Sequence, residues 1–176
     1  RKRSSAASDV YKRQEMVRSG RVEIGISFDP GDADDLLFQT LFEDNFIAAL
    51  PSTHALLKHK VLTWKQVANH DLIALQRPSS MRLQIERELH KEGLPLNISL
   101  EAHHLSTVGR MAATGLGIGL IPTLSARQIN EMGALCRPLI EPIISRKVGI
   151  ITRKKTALST AAQGIINELL TSIDKN

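Results

Sequence analysis

Two hydroxyl-bearing segments stand ahead of helix-like stretches: Pro78-Ser79-Ser80 before MRLQIERELHKEG, and Ser106-Thr107 before VGRMAA. Hydroxyls and free backbone N–H groups at two helix N-termini facing one cleft bind a carboxylate or a similar anion. Plain N-capping accounts for each hydroxyl equally well, so both readings stand at this point. His103 and His104 follow the strand-like ISLEA. Adjacent residues at a strand end point in opposite directions, and no Asp, Glu, Cys or His stands beside them at a familiar ligand spacing. They read as a hydrogen-bonding group lining a cleft or as solvated loop histidines, in preference to metal ligands. The acidic run Asp29, Asp32, Asp34 and Asp35 has Glu43 twelve positions on from Asp32. Leu36 and Leu37 then occupy the places where a calcium loop needs an oxygen ligand and a sharp-turn glycine, so the run reads as a solvated acidic loop.

GLGIG at 115–119 lies between a helix and a strand, the reverse of the order that brings a phosphate to a helix N-terminus. Gly115 reads instead as a helix cap, with Gly117 and Gly119 permitting close packing. No serine lies in a nucleophile elbow, and no Cys-His or Ser-His-Asp spacing stands out. The single cysteine, Cys136, forms no internal disulfide. The residues therefore support neither an enzyme nor a bound cofactor or metal.

The elements that position these groups alternate. RVEIGISF (21–28) sets Val22, Ile24 and Ile26 on one face of a buried strand ended by Asp29-Pro30-Gly31. FIAALP (46–51) is a second strand, and Thr63 caps a short helix reaching Asn69. DLIAL (71–75) leads through the Ser79-Ser80 loop into a helix with Met81, Ile85 and Leu89 on one face, ended by Gly93. ISLEA (98–102) leads likewise to a helix capped by Ser106 or Thr107 and ended by Gly115, followed by a strand at 117–122 and a helix at 123–131. VGIIT (148–152) is the last strand, and Ser159 caps a closing helix whose Ile165, Ile166, Leu169, Leu170 and Ile173 form an apolar face. The order predicts an α/β fold with a largely parallel sheet.

Composition fits: 176 residues, 42% apolar and 23% charged, with no apolar run near the roughly 20 residues of a membrane span. Of the net charge of +5, residues 1–14 carry +4, so the body is nearly neutral. Within that stretch SSAASDVYKRQ resembles the one-frame translation of a sequencing adapter. Residues 1–14 are accordingly set apart and expected to be disordered; a genuine basic arm, able to touch a polyanion, is the alternative. They form no secretory signal, and the expected location is cytoplasmic.

Taken in order, the motifs resemble those of the LysR-type transcriptional regulators, in their C-terminal effector-binding domain. VRSGRVEIGI is similar to the family's Gly-x-hydrophobic-Asp strand, and FIAALPSTHALLKHKVLTWKQVANHDLIAL to its Leu-Pro-x-x-His-Pro-Leu run and short helix. SSMRLQIERELHKEGL is similar to its Ser-x-x-Arg helix, and EAHHLSTVGRMAATGLGIGLIP to its Glu-to-Gly-Leu-Gly-Ile-Gly-Leu-Ile-Pro signature. Glu23 stands for the usual Asp, Ala55 for the Pro after His54, and Val67 for the common Leu. The resemblance implies a type II periplasmic-binding-protein-like fold: two α/β lobes joined by crossover strands, with lobe one lacking its N-terminal part. Lobe one would be residues 15–48 with 151–176, and lobe two residues 49–150. A small anionic or polar effector would sit in the interlobe cleft, contacted by Phe28, Pro78, Ser79, Ser80, Arg82, His103, Ser106 and Thr107. The implied partners are that effector, promoter DNA through an N-terminal helix-turn-helix outside this chain, and further copies in a dimer or tetramer, with no membrane partner. The alternative is a stand-alone solute-binding protein of the same fold serving transport.

Overall fold

The computed structural model describes residues 5–31 and 33–173, which leaves Arg1 to Ser4 and Asp32 of the acidic run outside it. The chain forms two compact units. One takes the residues up to Asp44 and from Arg146 on, and the other runs from Asn45 to Ser145.

The first unit begins with helix α1 (Ser5–Arg18), followed by strand β1 (Ile24–Phe28). The disorder expected over residues 1–14 is corrected for residues 5–14, which lie in this helix, while residues 1–4 fall outside the described residues. Ala, Lys, Arg, Gln and Glu are good helix formers, and the helix is anchored by Val17, fully buried with Leu36 and Ile151. Arg18 Nε donates to Asp35 Oδ2 at 2.6 Å, tying α1 to the loop before strand β2 (Leu36–Pro51). β1 runs antiparallel to strand β8 (Ser145–Arg153), in register from Ile24 opposite Thr152 to Phe28 opposite Val148.

The inward face of β1 is the reverse of the expected one. Ile26 is 49% exposed and Ser27 only 3%. α1 lies on the Gly25 side, where an added Cβ would stand 3.1 Å from Val17 Cγ2, so the close-packed face is the one with the small residues. β2 starts ten residues before the expected Phe46, and Leu36 is buried against Val17 and Ile151. Helix α6 (Thr160–Ile173) is capped by Ser159 as expected, with Ala162 N donating to Ser159 Oγ at 3.2 Å. Glu23 extends the cap: its carboxylate accepts from Ser159 N at 2.8 Å and from Ser159 Oγ at 2.6 Å. These two bonds hold the Glu23 carboxyl below its usual range. Of the expected apolar face, only Ile166 is buried, joined by Ala162, and Ile165 is half exposed.

In the second unit the later part of β2 pairs antiparallel with β6 (Ile118–Pro122) and β7 (Ala134–Ile140). β4 (Leu72–Leu75) lies parallel to both β6 and β5 (Ile98–Ala102), and the short β3 (Leu62–Thr63) runs parallel to β7. The sheet is thus mixed, its parallel pairs being β6 with β4, β4 with β5 and β3 with β7. Strand alternation sorts the core into two layers. Ala48, Leu50, Leu72, Ala74 and Leu120 meet Met81, Ile85 and Leu89 of helix α3 (Ser80–Lys91) and the fully buried Trp64. Ile47, Ala49, Ile73 and Ile121 meet Val108 and Ala112 of helix α4 (Leu105–Ala113) and Ile129 of helix α5 (Ala126–Glu131).

Helix α2 (Trp64–Val67) starts from Thr63 as expected, in a capping box: Gln66 N donates to Thr63 Oγ1 and Thr63 N to Gln66 Oε1. β7 has no counterpart in the sequence reading, since ALCRPLI carries a proline and little alternation. In GLGIG, Gly117 has φ 154° and a Cβ there would lie 2.6 Å from the Asp71 carbonyl oxygen, so close backbone packing accounts for it.

Candidate functional site

β4 and β5 are parallel neighbours with Leu75 opposite Ala102, and Gln76 N donates to Ala102 O at 3.0 Å just beyond their ends. The chain therefore leaves both strands at the same edge of the sheet. From β4 it turns through Arg77, Pro78 and Ser79 into α3, and from β5 through His103 and His104 into α4. The two helices pack on opposite faces of the sheet, and both begin at this same edge, as parallel strands with following helices require.

Neither start carries a side-chain cap. Ser79 is the N-cap of α3, 3% exposed and in extended conformation, and its hydroxyl makes no cap bond; its carbonyl accepts from Leu83 N at 3.0 Å. The N-cap of α4 is His104, which corrects the expectation of Ser106 or Thr107: its carbonyl accepts from Thr107 N and Val108 N, both at 3.1 Å, and its ring does not cap. Ser106 and Thr107 instead lie exposed in the first turn of α4, as Ser80 does in that of α3. Side-chain capping therefore does not account for Ser79, Ser106 or Thr107, and the N-cap side chain at neither helix start bonds to the first-turn N–H groups, where the positive end of the helix dipole lies. His103 and His104 are both exposed, with ring centroids 6.4 Å apart.

Arg82 is placed differently from a ligand-facing residue. It is 6% exposed, and its guanidinium is shared among three acceptors: Glu86 Oε1 at 2.5 Å, Glu101 Oε1 at 3.2 Å and the Leu75 carbonyl at 3.3 Å. It braces the first turns of α3 against the ends of β4 and β5. Arg77 adds a bidentate contact to Glu86 at 2.8 and 3.1 Å. Burial raises the pKa of the Glu86 carboxyl, but the hydrogen bonds from Arg77 and then Arg82 outweigh it and hold the group below its usual range.

Seven of the expected residues, Pro78, Ser79, Ser80, Arg82, His103, Ser106 and Thr107, thus gather at one strand edge of the second unit. Phe28 belongs to the first unit, where the Arg146 guanidinium lies 3.6 Å from its ring centroid. Sequence reasoning missed Glu86 and Glu101. The first was readable as an i,i+4 partner of Arg82; the second depends on the β4–β5 register and was not. A cavity of about 310 Å³ elsewhere in the second unit, lined by Ile47, Thr123, Cys136, Pro138 and Ile143 among others, includes none of the expected residues. Burial pushes up the pKa of the Cys136 thiol there. Among the described residues no three His, Cys, Asp or Glu are grouped to hold a metal ion, and no helix is long and apolar enough to cross a membrane.

Comparison with known proteins adds the following. The model of the LysR substrate binding domain matches residues 7–174. The HTH-type transcriptional regulator YbhD of Escherichia coli K12, itself uncharacterized, is 31% identical over 149 residues, covering 85% of this chain and 47% of YbhD. The chain spans about half the length of the curated relatives it matches. Among solved structures, the effector-binding domain of QuiR in complex with shikimate superposes with a TM-score of 0.79 at 15% identity, covering 98% of this chain and 80% of that one. The regulatory domain of CcmR from Synechocystis PCC6803 in complex with 2-PG gives 0.78 at 15%, covering 93% and 79%. The fold is thus that of the periplasmic-binding-protein-like effector domains.

Proposed function

Because the chain belongs to the LysR substrate-binding domain family, we propose that it is the effector-sensing part of a LysR-type transcriptional regulator. The observation that carries the reading is the pair of helix N-termini, α3 and α4, brought to one sheet edge with neither dipole met by its own N-cap side chain. Two partial positive charges with Ser80, Ser106, Thr107 and His103 around them suit a small anionic or polar molecule. Arg82 acts through position, because Glu86 and Glu101 already take its charge. The effector therefore meets N–H dipoles and hydroxyls in this unit. The small-molecule complexes of QuiR and CcmR support this class of ligand.

Binding of the effector favours one conformation of the domain, and by linkage that bias reaches whatever the domain is joined to. In the whole protein this is a helix-turn-helix on promoter DNA within a homo-oligomer; the chain itself has no catalytic role. The test is isothermal titration of the chain with a panel of small carboxylic acids, repeated on Ser80→Ala and Thr107→Ala. Each variant weakens binding of the acid that binds. Unchanged affinity in both removes the helix N-termini from the site. A signal peptide in place of a helix-turn-helix in the upstream coding sequence converts the reading to a solute-binding protein for transport.

A further inference from the structure

The cavity of about 310 Å³ in the second unit takes no part in the α3 and α4 edge. Its walls come from Phe46 and Ile47 of β2, from β7 between Cys136 and Ile140, and from Thr123 and Ile143. Pro138, opposite Ile47 in the ladder, brings no N–H to it. The other polar groups on the wall are engaged elsewhere. Thr123 Oγ1 donates to the Asn45 carbonyl at 3.0 Å, and Cys136 N donates to Asn130 Oδ1 at 3.1 Å. The Arg137 guanidinium is bound to the carbonyls of Leu57, His59 and Cys136 at 3.3, 3.0 and 2.9 Å, and neither Leu57 nor His59 lines the cavity. The remaining polar side chain, Asn45, is exposed to water.

A charged molecule entering this space gives up its hydration for a wall whose donors are already taken, and burying a charge without a partner is costly. An uncharged apolar molecule loses nothing polar and covers hydrocarbon, including Ile143, 63% exposed at the rim. The sulfur narrows the choice further. Cys136 is half-buried, with Sγ 3.9 Å from the Ala126 carbonyl, and burial raises its pKa, so near neutral pH the group is a thiol. A soft, polarizable sulfur in an apolar wall suits the edge of an aromatic ring. Size agrees: an apolar cavity of about 150 Å³ admits benzene, so this one holds a single ring with its substituents. We propose that the cavity is a second small-molecule site, for an uncharged molecule built on one aromatic ring. It stands independently of the anion-binding reading of the α3 and α4 starts.

Cys136 is the chain's single cysteine. Its alkylation by iodoacetamide at mildly alkaline pH, followed by mass spectrometry and measured against glutathione in the same solution, therefore reads the cavity directly. Toluene is the probe and benzoate its charged counterpart. A ligand of this size binds with a Kd on the order of 1 mM, so about 4 mM toluene slows alkylation roughly five-fold, whereas benzoate at that concentration leaves the rate unchanged. In spectra of methyl-labelled isoleucine, toluene shifts Ile47, Ile140 and Ile143, while Ile85 and Ile118 in the other core layer keep their positions and report an intact fold. Ile143→Glu sets a charge at the exposed rim and removes most of the protection without altering the circular dichroism spectrum. An unchanged alkylation rate in toluene, cavity methyls that stay in place, equal protection by benzoate, or full protection in Ile143→Glu overturns the proposal. Alkylation that slows with rising protein concentration alone gives the cavity to a second copy of the chain and overturns it as well.

Discussion

Arg82→Ala separates a brace from a ligand contact. If Arg82 faced the effector, truncation would cost affinity and spare the fold; the structure predicts a large cost to the fold. The guanidinium is 6% exposed and bonded to Glu86, Glu101 and the Leu75 carbonyl. Breaking a fully buried pair by removing one partner costs about 3–5 kcal/mol. Two features lower that figure here: the Glu101 side chain is 46% exposed, and Glu86 keeps its contact with Arg77. The expected loss is therefore about 2–4 kcal/mol. With a urea m-value of about 2 kcal/mol/M, the midpoint falls by roughly 1–2 M. Arg82→Lys, which keeps a charge but not the fork, lies between. Arg77→Ala is the control, since that side chain is 63% exposed; its midpoint stays near that of the wild type. Urea unfolding followed by circular dichroism reads all three. Equal midpoints for Arg82→Ala and the wild type refute the brace.

Other outcomes follow from the same geometry. The Glu86 carboxyl, held below its ordinary value of 4.5, contributes stability that is fully present above that pH and lost as pH falls through the lowered value; acid unfolding of Arg82→Met against the wild type should show a shallower acid limb for the variant. His54 is lowered from 6.5 by burial and then by the neighbouring His70, and its Nδ1 accepts from Leu56 N. Its contribution is therefore present above pH 6.5 and fades as pH drops, and His54→Asn, which can still accept that bond, flattens thermal stability over that window. Gly117→Ala must push against the Asp71 carbonyl from a φ of 154°, so its urea midpoint drops well below that of Gly164→Ala, where an added Cβ meets nothing. Leu89→Ala, at a fully buried site, costs about 2–5 kcal/mol by urea unfolding, while Leu83→Ala, 48% exposed on the same helix, costs little.

What the sequence made legible was local. The Thr63 cap, the Ser159 cap and the Met81, Ile85 and Leu89 stripe each depend on residues within a turn or two of one another, and each stands in the structure. Errors arose where a partner distant in sequence decides. The face that β1 turns inward is set by α1 against Gly25, and the start of β2 by burial of Leu36 on Ile151. β7 exists because β2 and β3 pair with it, a fact that ALCRPLI does not advertise. The site behaved alike. Strand–loop–helix order located the α3 and α4 starts, but the N-cap of α4 fell on His104, and the engagement of Arg82 depends on Glu101, nineteen residues away on another strand.

The most direct test of the central claim is amide mapping by nitrogen-15 NMR of the chain titrated with carboxylic-acid metabolites. The acid that binds shifts the amides of Ser80, Met81 and Arg82 together with those of Ser106 and Thr107. A bound acid that leaves these five in place and shifts amides elsewhere contradicts it.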